Sequence, residues 1–184
     1  PSPTEVPSPT PPEPTETPAP TRSARQTQLD GMVFVESETH GVRICHPADW
    51  FFDDTFFIVM SSNPDVDLFA EGSQMQDGVV VIVLAGPADE LVAGDSPDAV
   101  FDELTQEFMA DRDSLEIING PNETVINDIP AMVADFEATD EGETGHGRIA
   151  VLNNGQQAAV VIAVTPLRQW EDYEPTIEAI LGCV

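Results

Sequence analysis

Lysine is absent from this 184-residue chain, and its six arginines face 34 aspartates and glutamates, giving a formal net charge of −28. Affinity for nucleic acid comes largely from Lys and Arg neutralising phosphates, and a chain so short of cations cannot build that surface. Nucleic acid is excluded as a partner, and anionic lipid surfaces are excluded by the same repulsion. Cations, basic partners or a salty medium all suit the charge. The chain also lacks any apolar run near the roughly 18 residues needed to cross a bilayer; none exceeds the length of a run such as Val79 to Ala85, which is that of a strand. It has no GxSxG elbow, no GxGxxG after a strand, and no lysine with which to complete a phosphate loop. Histidine occurs only at His40, His46 and His146, without the spacing of a metal-ligand motif.

What is abundant is proline, and it is concentrated at one end. Residues 1 to 20 contain nine Pro and four Thr, with Val6 and Ala19 as the only other apolar residues. Such a segment cannot bury enough apolar surface to offset the entropy of ordering it, and its prolines favour extended polyproline II. At about 3.1 Å per residue, some 20 residues span on the order of 60 Å. Residues 1 to 27 therefore read as a tether and residues 28 to 184 as a single domain. Removing the tether leaves 31 acids against four arginines. The start at Pro1, inside a proline tract and without Met or an apolar signal core, leads to the expectation that an anchoring or processed segment precedes it.

From Gly31 onward, short apolar runs alternate with turn residues. Gly31 to Glu36 and Val42 to Cys45 predict a hairpin turning at Glu38-Thr39-His40-Gly41 and ended by Pro47. Phe56 to Ser61 and Gly78 to Ala85 predict further strands. Ser96-Pro97-Asp98 opens a helix with Val100, Leu104 and Phe108 on one face. Strands follow at Leu115 to Ile118, ended by Asn119-Gly120-Pro121, and at Ala131 to Ala138, Gly147 to Leu152 and Ala158 to Val164. Asn153-Asn154-Gly155 forms a tight hairpin turn, because Asn and Gly tolerate positive φ. A closing helix covers Trp170 to Leu181, with Trp170, Tyr173, Ile177 and Leu181 on one stripe and Pro175 marking where its regular part starts. This order predicts an α+β domain with a mostly antiparallel sheet covered by helices.

The chain resembles the PsbP-like superfamily, which includes the photosystem II extrinsic protein and envelope lipoproteins of the LpqN and DcrB kind. The resemblance is carried by the strand leading into Cys45-His46-Pro47-Ala48-Asp49-Trp50, the middle helix, and Ile129-Pro130-Ala131-Met132 entering a strand. The hairpin at Asn153-Asn154-Gly155 and the closing Ile177-Glu178-Ala179-Ile180-Leu181 complete it, over about residues 29 to 184. It implies an α/β/α-type sandwich around an antiparallel sheet, serving as a binding or assembly module and not as an enzyme.

Four groups of residues are candidates for more than packing. Cys45 and Cys183 are the only cysteines, and an even count in a chain that reads as exported suggests a disulfide, with two buried thiols as the alternative. Cys45 and His46 are adjacent on a strand and point to opposite faces, which argues against a nucleophile pair. Asp140, Glu141 and Glu143 surround Gly142 in an expected hairpin loop and offer hard oxygens to Ca²⁺, against an ordinary solvated loop; no other cofactor is expected. Asp53-Asp54 and Asp65/Asp67 offer comparable carboxylates. Trp50, Phe51 and Phe52, with Phe56 and Phe57 close behind, read as core and core rim or as part of a partner groove. The functional expectation is a non-enzymatic binding or assembly module outside the cytoplasm at a bacterial cell envelope, lipid-anchored or secreted, recognising a protein or small ligand. A cation- or solute-binding accessory protein and a hydrolase with an unrecognised site are the alternatives.

Overall fold

The computed structural model describes residues 30–65, 77–91, 101–102, 114–140 and 142–184. Nine strands and two helices are described. They are β1 (Met32–Ser37), β2 (Val42–Pro47), β3 (Phe51–Asp53), β4 (Ile58–Ser61), β5 (Val80–Pro87), a single helical turn α1 (Ala88–Leu91), β6 (Ser114–Ile126), β7 (Ile129–Asp140), β8 (Glu143–Asn153), β9 (Gln157–Pro166) and α2 (Trp170–Leu181), the last preceded by a 3-10 turn at Leu167–Gln169. Strands β1 and β2 form a separate two-stranded ladder, and the other seven form one sheet in the order β3-β4-β5-β9-β8-β7-β6. Every pairing is antiparallel.

The sheet is buried on both faces because the alternation of its strands sends apolar side chains each way. One face carries Val81, Val83, Ala150, Leu152, Val161 and Ala163, and packs with Trp170, Ile177, Ile180 and Leu181 of α2 and with Ile44 of β2. The other carries Met132, Ala134, Phe136, Ile149, Val151 and Ile162, packed with Phe101 and the α1 residues Ala88 and Leu91. Burying Ile177, Ile180 and Leu181 stabilises α2 by about 1.5–3 kcal/mol per side chain. Gly147 lies in β8 because nothing larger fits, since a Cβ there would come within 2.3 Å of Phe136 Cζ and 2.7 Å of the Ala163 carbonyl oxygen.

Several boundaries differ from the sequence reading. The predicted strand from Phe56 starts at Ile58, leaving Phe56 84% exposed, and the unpredicted β3 forms from Phe51-Phe52-Asp53. Asn119-Gly120-Pro121 does not end a strand; β6 runs through it on the sheet edge, with two register shifts and a cis Gly120–Pro121 bond. An edge strand tolerates this, because the missing proline N–H can face outward. Asn127 and Asp128, both at positive φ, make a tight β6–β7 turn that composition did not suggest. Pro175 lies inside α2 instead of opening its regular part. Of the helix predicted from Ser96, only Phe101 and Asp102 belong to the described residues; both are helical and Phe101 is buried.

Candidate functional site

Cys45, fully buried in β2, is joined by a disulfide to Cys183, just past α2. The bond fixes the β1–β2 hairpin to the end of the closing helix. Asn127 reinforces that corner, its side-chain amide donating to the carbonyls of Gly182 at 2.8 Å and Val184 at 3.0 Å. A cysteine held in a disulfide is not available as a nucleophile.

The hairpin so fixed leans its tip over the ends of β5 and β9, and a two-lobed cleft opens beneath it. One lobe, of about 340 Å³, is floored by Val42, Ala85, Ile129, Leu152 and Ala159 and closed by Cys183. The other, of about 530 Å³, lies between Glu38, His40, Pro87, Glu90 and Leu91. Gly41, Ala85 and Gln157 line both lobes, which therefore adjoin. The first lobe has an apolar floor with Arg43, Asn154 and Gln157 around it, the general composition of a small-ligand site, whereas the second is lined mainly by polar groups. His40 Nε2 lies 3.2 Å from the Asp54 carbonyl oxygen, tying the tip to the β3–β4 loop. Arg43 holds its guanidinium 4.8 Å above the Phe34 ring at the mouth of the first lobe.

The expected aromatic groove is divided. Trp50 and Phe52 pack against the α2-side core, Trp50 meeting Tyr173 edge-on at 6.2 Å and Phe52 stacking on His46 at 5.1 Å. Phe51, the next residue along β3, faces the other way and is 44% exposed. The three share no single surface, and neither lobe of the cleft is lined by them. In the acidic loop, Asp140 and Glu143 pair across the end of β7 and β8, while Glu141 lies outside the described residues. Among the described residues no three His, Cys, Asp or Glu side chains are grouped as a metal site would need.

A second polar cluster was not read from the sequence. Asp135 and His146 through Arg148 occupy facing positions of β7 and β8, Asp135 opposite Arg148 and Glu137 opposite His146. Asp135 and Arg148 are each 8% exposed, and Arg148 Nε donates to Asp135 Oδ1 at 2.6 Å. The same guanidinium donates to Glu174 at 3.2 Å and to Glu178, both on α2, and lies 5.3 Å over the Trp170 ring. His146 packs against that indole at 3.9 Å, with Glu137 3.9 Å from its Nδ1; its Nε2 is buried without a hydrogen-bond partner among the described residues. Burial alone would raise the Asp135 carboxyl, but the Arg148 and Asn119 hydrogen bonds outweigh it and hold the group below the usual carboxylate range. For His146 burial prevails over Asp135 and Glu137, and its protonated form is disfavoured. Burial also opposes the charge on Arg148, and its carboxylate partners more than restore it. This arrangement clamps α2 to the sheet.

No helix among the described residues is long and apolar enough to cross a membrane. No family model matches the chain, and no curated protein matches it in sequence. Solved structures do match. Cyanobacterial PsbP from Synechocystis sp. PCC 6803 is 13% identical, with TM-score 0.55 over 83% of this chain and 91% of that one. LpqN of Mycobacterium tuberculosis, described as involved in cell envelope biogenesis, is 10% identical, with TM-score 0.51 over 88% and 95%. A Pseudomonas aeruginosa protein of unknown function, PA94, is 14% identical, with TM-score 0.51 over 83% and 95%. With its antiparallel sheet, closing helix and matching span, the chain has the PsbP-like fold.

Proposed function

We propose that this chain is a non-enzymatic binding module that works outside the cytoplasm at a bacterial cell envelope, where its Pro/Thr-rich segment serves as a spacer and the two-lobed cleft beneath the β1–β2 hairpin receives the ligand. The observation that carries the reading is the cleft itself, with one lobe floored by apolar residues, an adjoining polar lobe, and one wall fixed by the Cys45–Cys183 disulfide. A wall held covalently costs little further ordering entropy when a ligand arrives. The disulfide and the composition of residues 1 to 20 support an oxidising compartment. The fold it shares with LpqN, a protein of cell envelope biogenesis, supports the envelope, with attachment through the N-terminal side.

The test is a thermal-shift comparison using a small-molecule extract of bacterial envelopes. Gln157 is exposed at the junction of the lobes, so Gln157→Trp blocks the cleft without entering the core. The extract is expected to raise Tm of the native protein and not that of the variant, whose own Tm is unchanged. Equal stabilisation of both, or of neither, refutes the cleft as the binding site.

A further inference from the structure

Among the described residues, four strands have a side without a strand partner: β1 and β2 in the hairpin, and β3 and β6 at the ends of the large sheet. Unpaired edges invite another strand, and proteins guard them with proline, bulges, lysine, short length or cover. Three of the four are guarded here. β2 buries Ile44, Cys45 and His46 in succession. β3 has three residues. β6 exposes Ile118 and Val125 but is broken between them by Pro121 and two register shifts, with Asn119, Asn122, Glu123 and Thr124 in the interrupted stretch.

Among the described residues β1 has the fewest of these protections, its one charge being Glu36. It runs six residues in unbroken register from Met32↔Pro47 to Ser37↔Val42, with no proline and no bulge. Val33 and Phe34, on opposite faces, are 41% and 47% exposed, so an added strand would cover an apolar residue on each face. The charge of the molecule selects the occupant. A second copy would bring together two chains of net charge −28 and set Asp30, Glu36 and Glu38 against their own equivalents. A segment with Lys or Arg at every other position meets the same field with attraction. Arg43, opposite Glu36 in the register, is the basic group on this ladder and lies over the Phe34 ring.

We propose that the outer edge of β1 is a strand-addition site for an extended basic segment of a protein partner. This surface is distinct from the cleft and stands whether or not the cleft binds a small molecule. Backbone hydrogen bonds supply the affinity, and the alternation of basic and apolar side chains supplies the selectivity.

The probe is a short acetylated, amidated peptide alternating lysine and valine, followed by fluorescence anisotropy at physiological salt. Its controls are the same peptide N-methylated at alternate backbone nitrogens, which keeps the charge and removes the ladder, and a glutamate–valine peptide. The lysine–valine peptide is expected to bind at least about tenfold more tightly than either control and to slow amide exchange in β1. Val33→Lys and Phe34→Lys, which guard the edge without touching the core, are expected to weaken binding with Tm preserved. Equal binding of the N-methylated peptide, protection on β3 or β6 instead of β1, indifference to both lysine variants, or no binding at all would overturn the proposal. A concentration-dependent dimer abolished by Phe34→Lys would assign the edge to a second copy, and overturn it too.

Discussion

Replacing Arg148 with methionine is expected to be among the most damaging single substitutions in the domain, for a reason that depends on Asp135. The methionine keeps most of the volume beside Trp170, so packing changes little. What changes is the environment of a carboxylate that is 8% exposed and left with the Asn119 amide at 3.1 Å as its remaining donor. Breaking a buried pair from one side costs about 3–5 kcal/mol, because the surviving charge is uncompensated. Asp135→Ala should cost less, about 1–3 kcal/mol, since Arg148 keeps Glu174 and Glu178, whose side chains reach solvent. The double variant should therefore be more stable than the sum of the single losses predicts, with a coupling of about 1–3 kcal/mol. The assay is urea denaturation at pH 7 with the slope unchanged among variants. The pH dependence gives a second reading. In the native protein the folded Asp135 carboxyl lies below its unfolded value, so its contribution is present above that value and is lost as pH falls through the folded one. Without Arg148 burial raises the carboxyl, protonation in the folded state relieves the cost, and the gap between variant and native protein narrows as pH falls from 7 to about 4. Additive single losses, or a gap indifferent to pH, would refute the reasoning.

Two further outcomes follow from the same contacts. The Cys45→Ala/Cys183→Ala protein loses a crosslink of sequence separation 138, which the chain-entropy relation values at about 5 kcal/mol and measured cases more often at about 2–4. Calorimetry should find Tm lower by roughly 5–15 °C, with reductant bringing the native protein to the same value and leaving the variant unmoved; a native Tm insensitive to reductant counts against this. His146→Phe preserves stacking on Trp170 and removes a group whose folded pKa lies below the ordinary histidine value. Native stability should fall as pH drops below about 6.5, because protons favour the unfolded chain, and the variant's should stay flatter over that window. Parallel pH curves would show that His146 does not titrate as its burial demands.

Local signals carried most of the fold. Short apolar runs placed β5, β8 and β9, helical spacing placed α2, and Asn153-Asn154-Gly155 placed the β8–β9 turn, because these features depend on neighbours in the chain. β3 was missed because Phe51-Phe52-Asp53 has no alternation to detect and gains its pairing only from Phe51↔Ser61 and its neighbours. β6 was cut short because Gly and Pro usually punctuate, and only its place on the sheet edge makes them tolerable. The Arg148 cluster was invisible for a related reason. Asp135 and Arg148 look like ordinary polar positions until register sets them opposite each other, and Glu174 and Glu178 follow Trp170 at helical spacing on the margin of the apolar stripe. The cleft depends on a hairpin laid across strands distant in sequence, which no local pattern announces.

The covalent link between β2 and the end of α2 also sets how the molecule bears mechanical load. Tension applied between residue 1 and residue 184 runs along the N-terminal segment and β1 to Cys45, crosses the sulfur bridge, and leaves through Val184. The 137 residues between the two cysteines are outside that path. At about 3.3–3.6 Å per extended residue, roughly 450–500 Å of contour stays locked while the bond is oxidised. Pulled in this way, the described residues can lengthen only by peeling β1 from β2. The sheet, the cleft floor and the clamp around Arg148 feel little of the force, so the first element a pull disturbs is the hairpin that roofs the cleft.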